Sequence, residues 1–248
     1  RPEKARAILK KLCRMPKPEF PWLVSMVKLD MEMNLCDEGS AMLTKLLNCY
    51  PDKPESWKLA VWMAQEKSDY VEAAAAMDVA IRLNSQKNTH DLSLLGHYYH
   101  MAGIPEKAAR SFRQAAGPNP CPKDLDRIKD VLLGGKRYDL ALKTAKSALE
   151  AKKTPARWET VGDITFLMRR YDESSRAYLK ALELTDNPTL KIKSGYALMK
   201  QEKFKLACRY FQDVIEQKDI EESILTEASQ AMAYIKNIQA MMPSSAAL

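Results

Sequence analysis

Alanine recurs in this chain at a spacing that leaves few architectures open. Ala73, Ala108, Ala141 and Ala207 stand one or two multiples of roughly 34 residues apart, each inside the same frame of apolar neighbours. A period of that length marks a tandem structural unit that packs on its neighbours. The clearest copy, 89–122, carries Leu95-Gly96, Tyr99, Ala108, Phe112, Ala115 and Pro120. Residues 155–188 repeat it with Trp158, Val161-Gly162, Tyr171, Tyr178 and Ala181, and 188–221 with Gly195, Leu198, Phe204, Ala207, Phe211 and Val214. Three weaker copies keep the register: 54–87 (Trp57, Ala60, Tyr70, Ala73, Met77, Ala80), 122–155 (Ile128, Leu132, Tyr138, Ala141, Ala145, Ala148) and 20–53 (Leu23, Met26, Leu43, Leu46, Pro51).

Within each copy the apolar residues fall three and four apart in two stretches, which is the stripe of an amphipathic helix written twice. Polar or glycine-containing breaks separate the stretches at 66–69, 102–105, 134–137 and 201–203. Each copy therefore reads as a helix, a tight turn and an antiparallel second helix. Pro51, Pro120, Pro155 and Pro188 fall between copies, where a helix must stop. Gly96, Gly162 and Gly195 lie midway along first helices, where glycine costs about 1 kcal/mol relative to alanine. An aromatic residue follows each of them sixteen positions later, so close approach of the second helix is the expected compensation.

These residues and offsets resemble the tetratricopeptide repeat over about residues 20–221. The resemblance implies an all-α chain, a right-handed superhelical α-solenoid of antiparallel helix pairs, that binds a peptide or partner domain in its concave groove. A subset of that family clamps the C-terminal carboxylate of heat-shock chaperones with Lys, Asn and Arg on successive first helices. Trp62, His97, Asp130 and Asp163 stand where that clamp needs Asn or a cation, so the resemblance does not extend to the subset.

With first helices lining the groove, the side chains left over from the core are the candidate contacts: Lys58 and Trp62; His90, His97 and His100; Asp126 and Asp130; Glu159, Asp163 and Phe166; Ile192, Tyr196 and Met199. Trp62 has the size that interfaces use as an anchor. Asp126, Asp130, Glu159 and Asp163 are expected to form an acidic strip complementary to a partner segment bearing Lys or Arg. The three histidines share one helix, but no Cys or carboxylate joins them at ligand spacing, so they are read as groove lining and no metal or cofactor is expected.

Composition narrows the function class. No phosphate-binding, nucleophile-elbow, zinc-protease or dinucleotide motif occurs, so the expectation is a non-enzymatic scaffold or adaptor acting in a larger protein or complex. The net charge is +7. Acids on the inferred concave face argue against nucleic acid, although a helical-repeat RNA-binding module is the alternative. A regulatory repeat region of an enzyme whose catalytic domain lies upstream is another. No stretch reaches the roughly 18 apolar residues of a membrane span. The five cysteines form no Cys-x-x-Cys pair and are expected to be buried or half-buried apolar residues. As unpaired thiols they favour the cytoplasm; an extracytoplasmic protein with its signal peptide removed is the alternative.

Residues 1–19 read as the second helix of a preceding copy, with Ala5, Ile8, Leu9 and Leu12 as its apolar stripe. More repeats or another domain upstream are expected to cover that stripe, and in this chain alone a second copy could do so as a dimer. Residues 222–242 are expected to cap the other end and 243–248 to form a tail.

Overall fold

The computed structural model describes residues 2–84, 88–217 and 220–241; the expected tail, 243–248, lies outside them. The chain divides into two compact units, residues 1–124 and 125–248. Among the described residues there are fourteen helices and no strand.

The first unit holds α1 (Pro2–Leu12), α2 (Phe20–Glu32), α3 (Cys36–Cys49), α4 (Pro54–Glu66), α5 (Tyr70–Leu83), α6 (Thr89–Met101) and α7 (Pro105–Ala116). Helices α2 and α3, α4 and α5, and α6 and α7 pack as pairs, and each pair rests on the next through α3 on α4 and α5 on α6. The second unit holds α8 (Pro122–Gly134) from its second turn on, and α9 (Tyr138–Ala151), α10 (Pro155–Leu167), α11 (Tyr171–Leu182), α12 (Pro188–Met199), α13 (Phe204–Ile215) and α14 (Glu222–Met241). There α10 pairs with α11 and α12 with α13; α9 packs on α10, α11 on α12, and α14 on both α12 and α13. Six of the fourteen helices, α1, α4, α7, α8, α10 and α12, carry a proline at their first residue, where the missing N–H is no loss.

One turn geometry recurs six times. Asn34, Ser68, Gly103, Lys136, Arg169 and Glu202 all have left-handed backbones, with φ between 56° and 71°. The amide after each donates to the carbonyl five residues back: Leu35 to Asp30, Asp69 to Ala64, Ile104 to Tyr99, Arg137 to Leu132, Arg170 to Thr165 and Lys203 to Leu198, at 2.8–3.0 Å. This is a helix-ending motif that satisfies carbonyls orphaned at the end of the first helix and reverses the chain into the second. Only Gly103 adopts the conformation without strain from a Cβ.

The core follows the repeat. Leu23, Met26, Leu46, Ile128, Leu132, Ile164, Leu190, Phe211 and Ile235 are fully buried. Three expectations need correction. Cys36, Cys49 and Cys121 are exposed rather than buried or half-buried, because the first two are the end residues of α3 and the third lies in the loop before α8; Cys13 is buried and Cys208 half-buried. Ile192 belongs to the core and not to the groove: it is 3% exposed, in one cluster with Ala228, Ala231 and Ile235 of α14. The α1 stripe is split, with Leu9 and Leu12 half-buried and Ala5 and Ile8 exposed.

A buried ion pair fixes α1 to α2. Asp30, with no exposed surface, accepts a 2.6 Å hydrogen bond from Arg6 Nε. Lys45 donates to the Cys13 carbonyl at 2.7 Å and Tyr50 to that of Pro18 at 2.9 Å, which ties the following loop to α3.

Candidate functional site

The ninth residue of each repeat from the second to the sixth, Trp62, His97, Asp130, Asp163 and Tyr196, lies on a first helix. Each is exposed or half-buried, and the residue just before it is buried in every case but Asp130, which follows the half-buried Lys129.

In the first unit, Lys58 Nζ of α4 donates to Asp91 Oδ2 of α6 at 2.9 Å. Asp91 is 6% exposed, so this bond holds a nearly buried carboxylate. Tyr98 donates to Gln65 Oε1 at 2.9 Å across the same two helices. Trp62 lies half-buried beside this link, its indole N–H 3.3 Å from Glu66 Oε1. His97 and His100 are exposed, with the His97 ring 6.2 Å from that of Tyr98. His90 Nδ1 lies 3.6 Å from Asp91 Oδ1. Lys58 is thus already engaged by its own chain, while Trp62 and the histidines present aromatic surface.

In the second unit, Lys129 takes up part of the acidic charge of α8, at 3.1 Å from Asp130 and 3.8 Å from Asp126. A denser network joins α10, α11 and α12. Lys193 Nζ donates to Glu159 Oε1 at 2.7 Å and to the two Asp163 oxygens at 2.9 and 3.0 Å. Tyr178 donates to Asp163 Oδ1 at 2.7 Å. Burial, then the hydrogen bond to Asp163, push the Tyr178 phenol far above its ordinary value. Burial alone would lower Lys193, but the hydrogen bonds and charges of Glu159 and Asp163 outweigh it and raise its pKa. Beside this network Asp163, Phe166, Leu167, Tyr178, Lys193 and Tyr196 line an open pocket of about 320 Å³. Phe166 stands edge-on to Tyr171 with centroids 5.2 Å apart, and Tyr196 edge-on to Phe211 at 5.5 Å, so both pocket rings are held from behind.

Glu159, Asp163 and Tyr196 are therefore brought to one place. Asp126 and Asp130 pair with Lys129, and Glu159 and Asp163 with Lys193, so each half of the expected acidic strip carries a lysine of its own. Sequence reasoning passed over Lys193, Asp91 and Leu167. A signal existed for two of them: Glu159 and Lys193 are 34 residues apart and Lys58 and Asp91 are 33, so opposite charges one period apart meet across adjacent first helices. Among the described residues no group of three or more His, Cys, Asp or Glu side chains could hold a metal ion, and no helix is long and apolar enough to cross a membrane.

Paired helices in a fixed register, with side chains of the first helices turned away from the core, define the class of α-helical repeat proteins. No family model matches the chain. Over 59 residues, 24% of its length, it is 44% identical to a TPR repeat-containing protein of Methanocaldococcus jannaschii, and the match spans 18% of that protein. Among solved structures it is similar to the C-terminal part of a TPR repeat-containing protein from Cytophaga hutchinsonii, with a TM-score of 0.54, 18% identity and 89% of each chain covered. A tetratricopeptide repeat protein from Parabacteroides merdae aligns with a TM-score of 0.45 and 14% identity, over 93% of this chain and 91% of the other. The chain is thus similar to a TPR repeat-containing protein over part of its sequence, and its fold is that of a tetratricopeptide-type α-solenoid.

Proposed function

We propose that the chain is a non-enzymatic scaffold that holds a peptide or partner domain against its first helices. The observation that carries this reading is the ninth-residue register. Trp62 and His97 are not among the buried core residues, and Asp163 and Tyr196 touch the core from one side only while staying half-exposed, so these positions bear aromatic and ionic side chains of the size and polarity that form contacts. Two rings and one exposed leucine at the unit-two pocket add to it, because a side chain such as Leu167, 57% exposed beside half-buried rings, gains by being covered. Each acidic cluster has two carboxylates to one ammonium, which leaves a modest preference for a partner carrying a cation nearby.

The test begins with partners captured by the tagged chain and identified by mass spectrometry. Trp62→Ala, His97→Ala and Tyr196→Ala, each checked for unchanged helicity, are then measured against the purified partner. An anchor residue should cost roughly 2 kcal/mol of binding, about thirtyfold in Kd. Binding lost only on substitution of second-helix residues such as Arg110 or Arg176 would refute the assignment.

A further inference from the structure

On the reading that partners dock on the first helices, we infer that the pocket between α10 and α12 takes a large apolar side chain of the partner, aromatic or branched aliphatic, and that Lys193 bars a lysine or arginine from it.

The sequence alone points the other way, since Glu159 and Asp163 invite a cation. The geometry removes the invitation. An ammonium has three protons, and those of Lys193 are taken by Glu159 Oε1 and both oxygens of Asp163. Asp163 Oδ1 also accepts the Tyr178 hydroxyl. A partner's cation would have to displace these bonds while lying close to a fixed ammonium of the same sign. Specificity is commonly built from such a repulsive element. Lys193 is tethered from two sides, so it does not swing clear as a surface lysine does.

What remains to be covered is apolar. Leu167 projects into solvent, and Phe166 and Tyr196 present half-buried faces. The rings behind them, Tyr171 and Phe211, keep the walls in place, so an incoming side chain meets a preformed surface and little ordering is lost on binding. A volume of about 320 Å³ lies at the small end of the range for ligand sites. It suits one bulky side chain and not a cofactor.

The experiment uses the full chain with isotope-labelled leucine methyls and three capped amino acids as probes: N-acetyl-tryptophanamide, N-acetyl-leucinamide and N-acetyl-lysinamide. The tryptophan and leucine probes should shift the Leu167 methyls saturably and bind at least about fivefold tighter than the lysine probe, the difference expected from burying a few apolar groups. Leu167→Ser, a change at an exposed site that leaves the fold intact, should remove that advantage, read for this variant from the line broadening of the probes' own resonances. Lys193→Met, which keeps the aliphatic stem and frees both carboxylates, should raise the lysine probe's affinity by about fivefold or more. Lysine binding the native pocket as well as tryptophan, or an unchanged preference in Lys193→Met, would overturn the inference. Its failure is separable from failure of the scaffold reading. A partner lost on Leu167→Ser while the lysine probe prevails refutes only the chemistry. A partner insensitive to Leu167→Ser and not displaced by the tryptophan probe refutes docking at this pocket, and the inference with it.

Discussion

The ring of Phe112 occupies the space that a side chain on Gly96 would need. A Cβ built on Gly96 would lie 2.5 Å from Phe112 Cε1 and 2.6 Å from Cδ1, well inside contact distance. Gly195 stands in the same relation to Phe211, at 2.6 Å from Cε1 and Cζ, and Gly162 to Tyr178. The glycine lets the second helix approach until its ring lies on the backbone of the first. Gly96→Leu, Gly162→Leu and Gly195→Leu should each destabilise the chain by roughly 1–3 kcal/mol through overpacking. Alanine tests the point more finely: it gains about 1 kcal/mol in helix propensity, so a net loss for Gly162→Ala would measure the displacement of the ring. Urea midpoints decide, and unchanged values for all three leucine variants would show that the rings can move aside without cost.

The six left-handed turn residues make a prediction of opposite sign. Lys136, Arg169, Glu202, Ser68 and Asn34 adopt a conformation that costs an L-residue with a Cβ roughly 1–2 kcal/mol, less for asparagine. Lys136→Gly, Arg169→Gly and Glu202→Gly should therefore stabilise, each by about 1 kcal/mol after the larger chain entropy of glycine is counted. Gly103→Ala should destabilise by a similar amount, although a Cβ there meets nothing within 4 Å, because the strain lies in the backbone. Chemical denaturation of the four variants separates this backbone effect from packing.

Most of the fold could be read from the sequence, and the candidate site could be read only in part, for one physical reason. Packing is periodic: Ala73, Ala108, Ala141 and Ala207 are all fully buried, and in three copies a ring lies on the glycine sixteen residues before it, so the repeat announces both the helices and the glycine–ring contacts. The turns announced themselves less well, since only Gly103 marks a left-handed residue and five others hide it behind lysine, arginine, glutamate, serine and asparagine. Side chains left off the core are not periodic. Their charge can be read, but whether that charge is free depends on a partner one period away. Glu159 and Asp163 suggested an open acidic patch, and Lys193 closes it. Ile192 fell in a groove register by counting but is covered by α14, which is not a repeat unit and so obeys no such register. The cysteines misled for a similar reason, because a small apolar residue type at the end of a helix or in the loop before one need not face inward.

Arg6 and Asp30 provide a test of how α1 is held. No residue of α1 is buried, and the carboxylate it meets has no exposed surface. Removing the guanidinium leaves a buried charge without its counter-ion, which typically costs about 3 kcal/mol or more when the structure cannot relax. Here it can relax by release of α1, so Arg6→Ala should lose a smaller amount, on the order of 2 kcal/mol. Hydrogen exchange should show the loss of protection concentrated in Pro2–Leu12. The double variant Arg6→Leu/Asp30→Leu, which replaces the pair by apolar groups, should recover most of the stability. Uniform loss of protection through α2 and α3 would show instead that Asp30 supports the whole pair of helices.

The network around Asp163 predicts how stability falls at high pH. Burial and the hydrogen bond to Asp163 hold the Tyr178 phenol protonated well above its ordinary range, and the two carboxylates raise Lys193. In the unfolded chain both groups release their protons near pH 10 to 10.4, approximately the values of free tyrosine and lysine. Above that range the native state binds more protons than the unfolded one, so stability decreases as pH rises. Both contributions are fully present below about pH 9 and are lost as pH climbs through the raised folded-state values. Tyr178→Phe should lower the melting temperature at pH 7, since Asp163 loses a hydrogen bond worth about 1 kcal/mol. It should also flatten the decline between about pH 9.5 and 11.5, because the group with the largest shift is gone. Asp163→Asn should flatten it as well, through both partners. Melting curves recorded by circular dichroism across that range provide the check: profiles for the variants that run parallel to the native one would mean that Tyr178 and Lys193 titrate in the folded chain as they do in the unfolded.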